Sequence, residues 1–269
     1  MNLRRFSVAL GLATLMSVAT LTSSPTAQAI VGGETATEAP SWMASLQYDI
    51  DEPDGVYYHG CGASLIAPRW AVTARHCVIK GANTPDIVLD EPLDPAQMQL
   101  RIGSVDRTQG GTVVGIAEIH KPPRNPIPSA GTDIALLELE EAVPNAPVKI
   151  AASAALGETR ILGWGMECVE EGCGAPVKLK QLDTTTISDF NCIPLAIHFT
   201  VESCVGEWNS GRSAALGDSG GPAVTRVDGE WQLTGATSRV IYVGKAPAIY
   251  VDVPAWRQWI RETTGINTL

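Results

Sequence analysis

The sequence predicts an all-β chain of the barrel or sandwich kind, and three observations carry that expectation. Its apolar runs are short. Gly, Pro, Asn and Asp punctuate them, which is the pattern of strands joined by turns rather than of βαβ units. Only the C-terminal stretch reads clearly as helix: Pro254 suits a first helical turn, and Trp256, Trp259 and Ile260 share one face at i, i+3, i+4.

In order along the chain, strands are expected at Ser41 to Tyr48, Gly62 to Ile66, Trp70 to Ala74, Gln99 to Ile102, Thr112 to Ile119 and Ile134 to Leu139. Residues Ala142 to Gly157 are rich in Ala and Pro with little periodicity, so the boundary between two halves is placed there. The second half repeats the style at Thr159 to Gly163, Lys180 to Ile187, Pro222 to Arg226, Trp231 to Thr237 and Ala248 to Val251.

The 269 residues suffice for one large or two small domains, and 45% are hydrophobic, enough for a sizeable core. The formal net charge of −10 argues against nucleic acid as a partner, because phosphate binding needs a basic surface. Residues 1–29 read as a signal peptide. Arg4 and Arg5 give a positive start, Val8 to Ala19 an apolar centre, and Ala27-Gln28-Ala29 a small-x-small cleavage site. The apolar run is short and broken by Thr and Ser, so no stable membrane anchor is expected once it is removed. Cleavage would leave residues 30–269 at a formal charge of about −12. It would also place the product outside the cell.

Export makes the six cysteines disulfide partners. Their spacing suggests three local loops, Cys61–Cys77, Cys168–Cys173 and Cys192–Cys204. No C-x-x-C pair occurs and the histidines lack zinc-like spacing, so no metal is expected; the chemistry argued below needs no cofactor. Asp86, Asp90, Glu91 and Asp94 form an acidic segment where calcium is conceivable. A solvated loop is preferred, since no EF-hand pattern is present.

Gly217-Asp218-Ser219-Gly220-Gly221-Pro222 sets a serine in a glycine-rich turn. Alone it could be an ordinary surface loop. Three further stretches change its weight: Ile30-Val31-Gly32-Gly33 at the predicted cleavage point, Thr73-Ala74-Arg75-His76-Cys77, and Thr132-Asp133-Ile134-Ala135-Leu136-Leu137. In order and local sequence these resemble the trypsin-like (chymotrypsin-fold) serine endopeptidases, over nearly all of residues 30 to 264. The resemblance implies two antiparallel six-stranded β-barrels packed side by side with a C-terminal α-helix. The first barrel would span about 30–150, the second barrel and helix about 151–269, with the site in the cleft between them. The order His, Asp, Ser and the absence of a Gly-x-Ser-x-Gly elbow disfavour a lipase-like hydrolase.

The chemistry can be argued residue by residue. A serine hydroxyl is a weak nucleophile and needs a base. His76 can take the Ser219 proton near neutral pH. Asp133 would fix the imidazole tautomer and stabilise its cation, and the N–H groups of Gly217 and Ser219 would form the oxyanion hole. A lone histidine beside a cysteine, or a lone aspartate before a strand, is usually structural; the case rests on the set. By resemblance, the amine freed at Ile30 would pair with Asp218 and order the oxyanion turn. Export itself would then yield the active form. Activity would rise as His76 deprotonates, around pH 6 to 7, and fall when the Ile30 amine does. His59, His120 and His198 lie in no matching motif and read as surface or packing residues.

Specificity follows from positions the resemblance assigns to the pocket: Ser213 at its base where trypsins carry aspartate, Ser238 beside the substrate backbone, Val240 in place of an entrance glycine, and Ala248 on the far wall. With no carboxylate at the base, cleavage after small or medium apolar residues is expected. An acidic preference served by Arg239 or Arg212 is the alternative. Several positions depart from the family pattern. Arg75 replaces an alanine, Ala215 a cysteine and Arg239 a tryptophan, while Cys168–Cys173 is an unusual loop. The expected partners are protein or peptide substrates and a protein inhibitor, acting on a monomer. The reading from a different class is a catalytically silent binding or adhesion protein on the same fold.

Overall fold

The computed structural model describes residues 30–49, 55–81, 90–123, 131–167 and 174–267. The expected Cys168–Cys173 loop and Asp86 lie outside these residues.

Strands are set by burial on alternating or continuous faces. In β5 (Met98–Ile102) Met98, Leu100 and Ile102 are buried while Gln99 and Arg101 are not, the period of a half-buried strand. In β2 (Met43–Tyr48) burial is continuous up to Tyr48, because the polar side chains on its second face are covered too, Ser45 against His59 and Gln47 against Arg107 O. With β3 (Tyr58–Ala67), β4 (Trp70–Thr73), β6 (Thr112–His120) and β7 (Ala135–Leu139), these close a six-stranded antiparallel barrel in the order β2-β3-β4-β7-β6-β5. Closure leaves no free sheet edge.

The second barrel runs β10 (Lys180–Ile187), β11 (Glu202–Val205), β14 (Ala248–Asp252), β13 (Glu230–Arg239), β12 (Pro222–Val227), β9 (Gly157–Gly163), and β9 pairs back with β10. Two short strands join it from the first half of the sequence. β1 (Glu34–Thr35) pairs with β10, and β8 (Lys149–Ile150) runs parallel to β13. The chain segments flanking the first barrel are thus bound to the second. β11 is a strand that sequence periodicity does not suggest, since Glu202 opens it; the reason is tertiary and appears below.

Helix α1 (Arg257–Thr264) follows a 3₁₀ turn at Val253–Trp256 and ends at Gly265, whose φ of 70° lets its N–H reach Arg261 O. Ile260 is fully buried, and Trp256 and Trp259 pack on the same core. That core is continuous through both barrels, from Leu46, Leu65, Val72 and Leu136 to Trp164, Leu179, Leu233 and Val251. No helix among the described residues is long and apolar enough to cross a membrane.

Candidate active site

Antiparallel register puts His76 beside Asp133. β4 and β7 pair with Thr73 opposite Ala135. The chain therefore leaves β4 just where it enters β7, and the 3₁₀ turn Arg75–Val78 lies against residue 133. The Cys61–Cys77 disulfide, with Cα atoms 6.3 Å apart, ties that turn back to β3. Asp133 Oδ1 accepts the backbone N–H of His76 at 2.9 Å, and Oδ2 lies 2.9 Å from His76 Nδ1. An ionised carboxylate only accepts, so Nδ1 carries the proton and a neutral His76 keeps its lone pair on Nε2. Ser238 Oγ donates to the same Oδ2 at 2.7 Å. Burial of the imidazole opposes its cation, but the charge and hydrogen bond of Asp133 outweigh this and hold the His76 pKa above 6.5. Burial likewise opposes the Asp133 carboxylate, and His76 and Ser238 reverse that, keeping its pKa below the usual carboxylate range.

Ser219 comes from the second half, and glycines let it approach. Gly62 N–H donates to Ser219 O at 2.7 Å. A Cβ on Gly62 would sit 2.6 Å from Gly221 Cα. One on Gly220, whose φ is +72°, would lie 2.2 Å from Thr73 Oγ1 and 2.9 Å from Ala74 N. The serine turn therefore packs backbone to backbone against β3 and the end of β4, directly before His76. No hydrogen bond joins Ser219 Oγ and His76 Nε2 among the described residues; such contacts are commonly loose without substrate. The N–H groups of Gly217 and Ser219 likewise have no protein acceptor among the described residues. A φ of 97° at Gly217 sets the turn.

Behind the turn, Asp218 is buried and accepts the N–H groups of Gly165 and Ala215, each at 2.8 Å. Cβ atoms on Gly163 or Gly165 would lie 2.0 and 2.4 Å from its carboxylate. With residue 30 still peptide-bonded to Ala29, burial raises the Asp218 pKa to about 7 against the two backbone hydrogen bonds. Ile30 is fully buried beside Ala214 in an apolar cluster, and Val31 bridges Ser213, accepting its N–H at 3.0 Å. The segment expected to pair with Asp218 thus lies alongside the stretch at Ser213 that leads to it.

His59 is a neighbour of the serine turn that sequence reasoning passed over. Its Nε2 lies 3.1 Å from Gly217 O and its Nδ1 2.8 Å from Ser45 Oγ. A carbonyl can only accept, so Nε2 is protonated and, in the neutral ring, Ser45 donates to Nδ1. Burial pushes the His59 pKa down to about 4, so the ring is neutral across the ordinary pH range. No local motif signals this role, because its partner stands 158 residues away.

At the pocket positions, Ser213 is buried, donates its hydroxyl to Ala214 O at 2.8 Å and accepts Gly244 N–H at 2.7 Å. Val240 packs on the cluster that holds Ala214 and Ala248. Arg239 is taken up by Glu202, through Nη1–Oε1 at 2.6 Å and Nη2–Oε2 at 2.8 Å. Arg212 donates to Asp183 O. Both arginines of the acidic-preference alternative therefore have partners within the protein. Arg75 is buried, bound to both Asp90 carboxylate oxygens and to Pro122 O, so it does not block the site. Asp90 is also held by Lys121, Glu91 pairs with Lys80, and Asp94 caps the turn at 95–97. These three carboxylates of the acidic segment are already committed within the protein. Cys192 and Cys204 are joined, with Cα atoms 5.9 Å apart.

The trypsin family profile matches residues 30–260. The chain belongs to the trypsin family of serine endopeptidases, which are hydrolases. It is 31% identical to Bos taurus Proproteinase E, over 91% of this chain and 98% of that protein. It is 32% identical to human Chymotrypsin-like elastase family member 3B, over 98% of both chains.

Proposed function

We propose that the protein is an exported endopeptidase that cleaves after small or medium apolar residues, with Ser219, His76 and Asp133 as its triad. The observations that carry the triad are the two-point grip of Asp133 on His76, which leaves Nε2 as the basic nitrogen, and the glycine contacts that seat the serine turn against Thr73 and Ala74, just before His76 in the chain. Ser219 Oγ attacks the scissile carbonyl carbon and passes its proton to His76 Nε2. The N–H groups of Gly217 and Ser219 receive the oxyanion. The imidazolium then protonates the leaving amine, and the acyl-enzyme forms. Water reverses the sequence to release the acid. An activated-serine probe should label wild-type protein and spare Ser219→Ala; absence of labelling in processed protein would favour a catalytically silent fold.

The uncharged pocket rests on Ser213, Val240 and Ala248, and on a base hydroxyl already satisfied by backbone. A buried Lys or Arg side chain would find no counter-charge there. A panel of chromogenic peptides should show strongest turnover after Ala or Val, and strong cleavage after Arg would sink the assignment. Activation is proposed to follow signal removal alone, freeing the Ile30 ammonium to neutralise Asp218. N-terminal sequencing of secreted protein should begin at Ile30; a start upstream with later trimming would show a separate activation step.

A further inference from the structure

We propose that Arg239 and Glu202 form a positioning pair that holds the catalytic aspartate in register; this rests on the triad reading above. Asp133 arrives on a loop of the first barrel, and two contacts tie that loop to the second. At Gly131, whose φ is +66°, an added Cβ would sit 2.2 Å from Val201 Cγ2 and 3.2 Å from the His198 ring. The loop is thus pressed on the turn at 198–201. Two residues on, Asp133 Oδ2 accepts the Ser238 hydroxyl at 2.7 Å.

Both contacts are anchored by the same ion pair. Glu202 has a fully buried carboxylate, which closes its own turn by accepting His198 N–H at 2.8 Å. Its oxygens also take the two Nη atoms of Arg239, and Nη2 reaches on to Ala196 O at 2.8 Å. The guanidinium fork therefore fastens the 196–202 turn. Arg239 itself follows Ser238. The β13–β14 register slips between Thr237 and Arg239, so Ser238 falls outside the ladder. A bulge of this kind re-aims a side chain, and here it frees Ser238 to face Asp133. Arg239 fixes the far side of the bulge.

The pair also answers why this charge belongs here. Asp189 stands near Glu202 as a further carboxylate, so Arg239 is the cation that makes a buried Glu202 tolerable. Removing Arg239 alone would leave Glu202 unpaired, with a severe effect on folding. The informative variants are therefore Glu202→Gln/Arg239→Met, which deletes both charges while keeping bulk, and Arg239→Lys, which keeps charge but not the fork.

The test is steady-state kinetics on a small apolar-P1 peptide ester, with active-site titration to count competent enzyme. A misplaced catalytic group lowers kcat by between about 10- and 100-fold. That loss is expected in the paired variant, with KM nearly unchanged and the acid limb of kcat moved to lower pH as Asp133 loosens from His76. Arg239→Lys should recover part of it. A paired variant that melts below the wild type yet keeps wild-type kcat and acid limb would overturn the proposal, leaving the ion pair merely structural. Ser219→Ala in parallel separates the two ideas. If it retains turnover, the triad reading itself fails, whatever the pair does.

Discussion

His76 and His59 show how one residue type is set to two tasks by its neighbours. His76 faces a carboxylate, so its pKa is held above 6.5. The acid limb of kcat/KM is therefore expected above pH 6.5 in the free enzyme, later than an unperturbed histidine would give. Ser238→Ala removes one donor from Asp133 and should lower kcat; a pH–rate profile unchanged from wild type would deny Ser238 any part in the triad. His59 faces a carbonyl and is buried, so it stays neutral down to about pH 4. Its ring holds Gly217 O and thereby the serine turn, the proposed oxyanion site. His59→Phe should reduce kcat by between about 10- and 100-fold with little change in KM. Unlike changes at Ser238, it should leave the acid limb in place, and pre-steady-state acylation rates would read the difference.

At the scale of elements, the site depends on backbone surfaces that approach where no side chain intervenes. β3 and the serine turn meet at Gly62, Gly220 and Gly221. Gly220→Ala would place a Cβ against Thr73 and Ala74 at a positive φ. It should cost about 2–4 kcal/mol of stability through overpacking and strain and abolish labelling of Ser219. Denaturant unfolding and probe labelling check both; full labelling would show that the turn can shift without harm. β11 makes the complementary point. Its Glu202 looks like a loop residue in one dimension, yet it is buried because Arg239 on β13 meets it.

For the whole molecule, the uncleaved and cleaved chains should differ in how stability depends on pH. In the uncleaved chain the Asp218 pKa is raised to about 7. The folded state then holds a proton that the unfolded state releases between pH 4 and 7, so stability falls as pH rises through that window. The loss is on the order of 4 kcal/mol by linkage. An Ile30 ammonium paired with Asp218 would remove most of it. Thermal melts at pH 5 and 7.5 should therefore diverge more for a chain with Ala29 retained than for one starting at Ile30. Equal shifts in the two forms would contradict the pairing. The continuous core linking the barrels is what would carry this local charge into global stability.

The sequence by itself determined most of the strands, the C-terminal helix and the motifs around His76, Asp133 and Ser219. Each is written in short-range terms, as apolar period, turn residues or a run of a few amino acids. β11, the role of His59 and the engagement of Arg239 were not legible there. Each depends on a partner tens of residues or more away, and burial of a charge or a histidine is decided by what stands opposite it in space. Tertiary structure alone decided those points. Hydrogen-bond partners and counter-charges are properties of the folded packing, and local sequence carries no record of them.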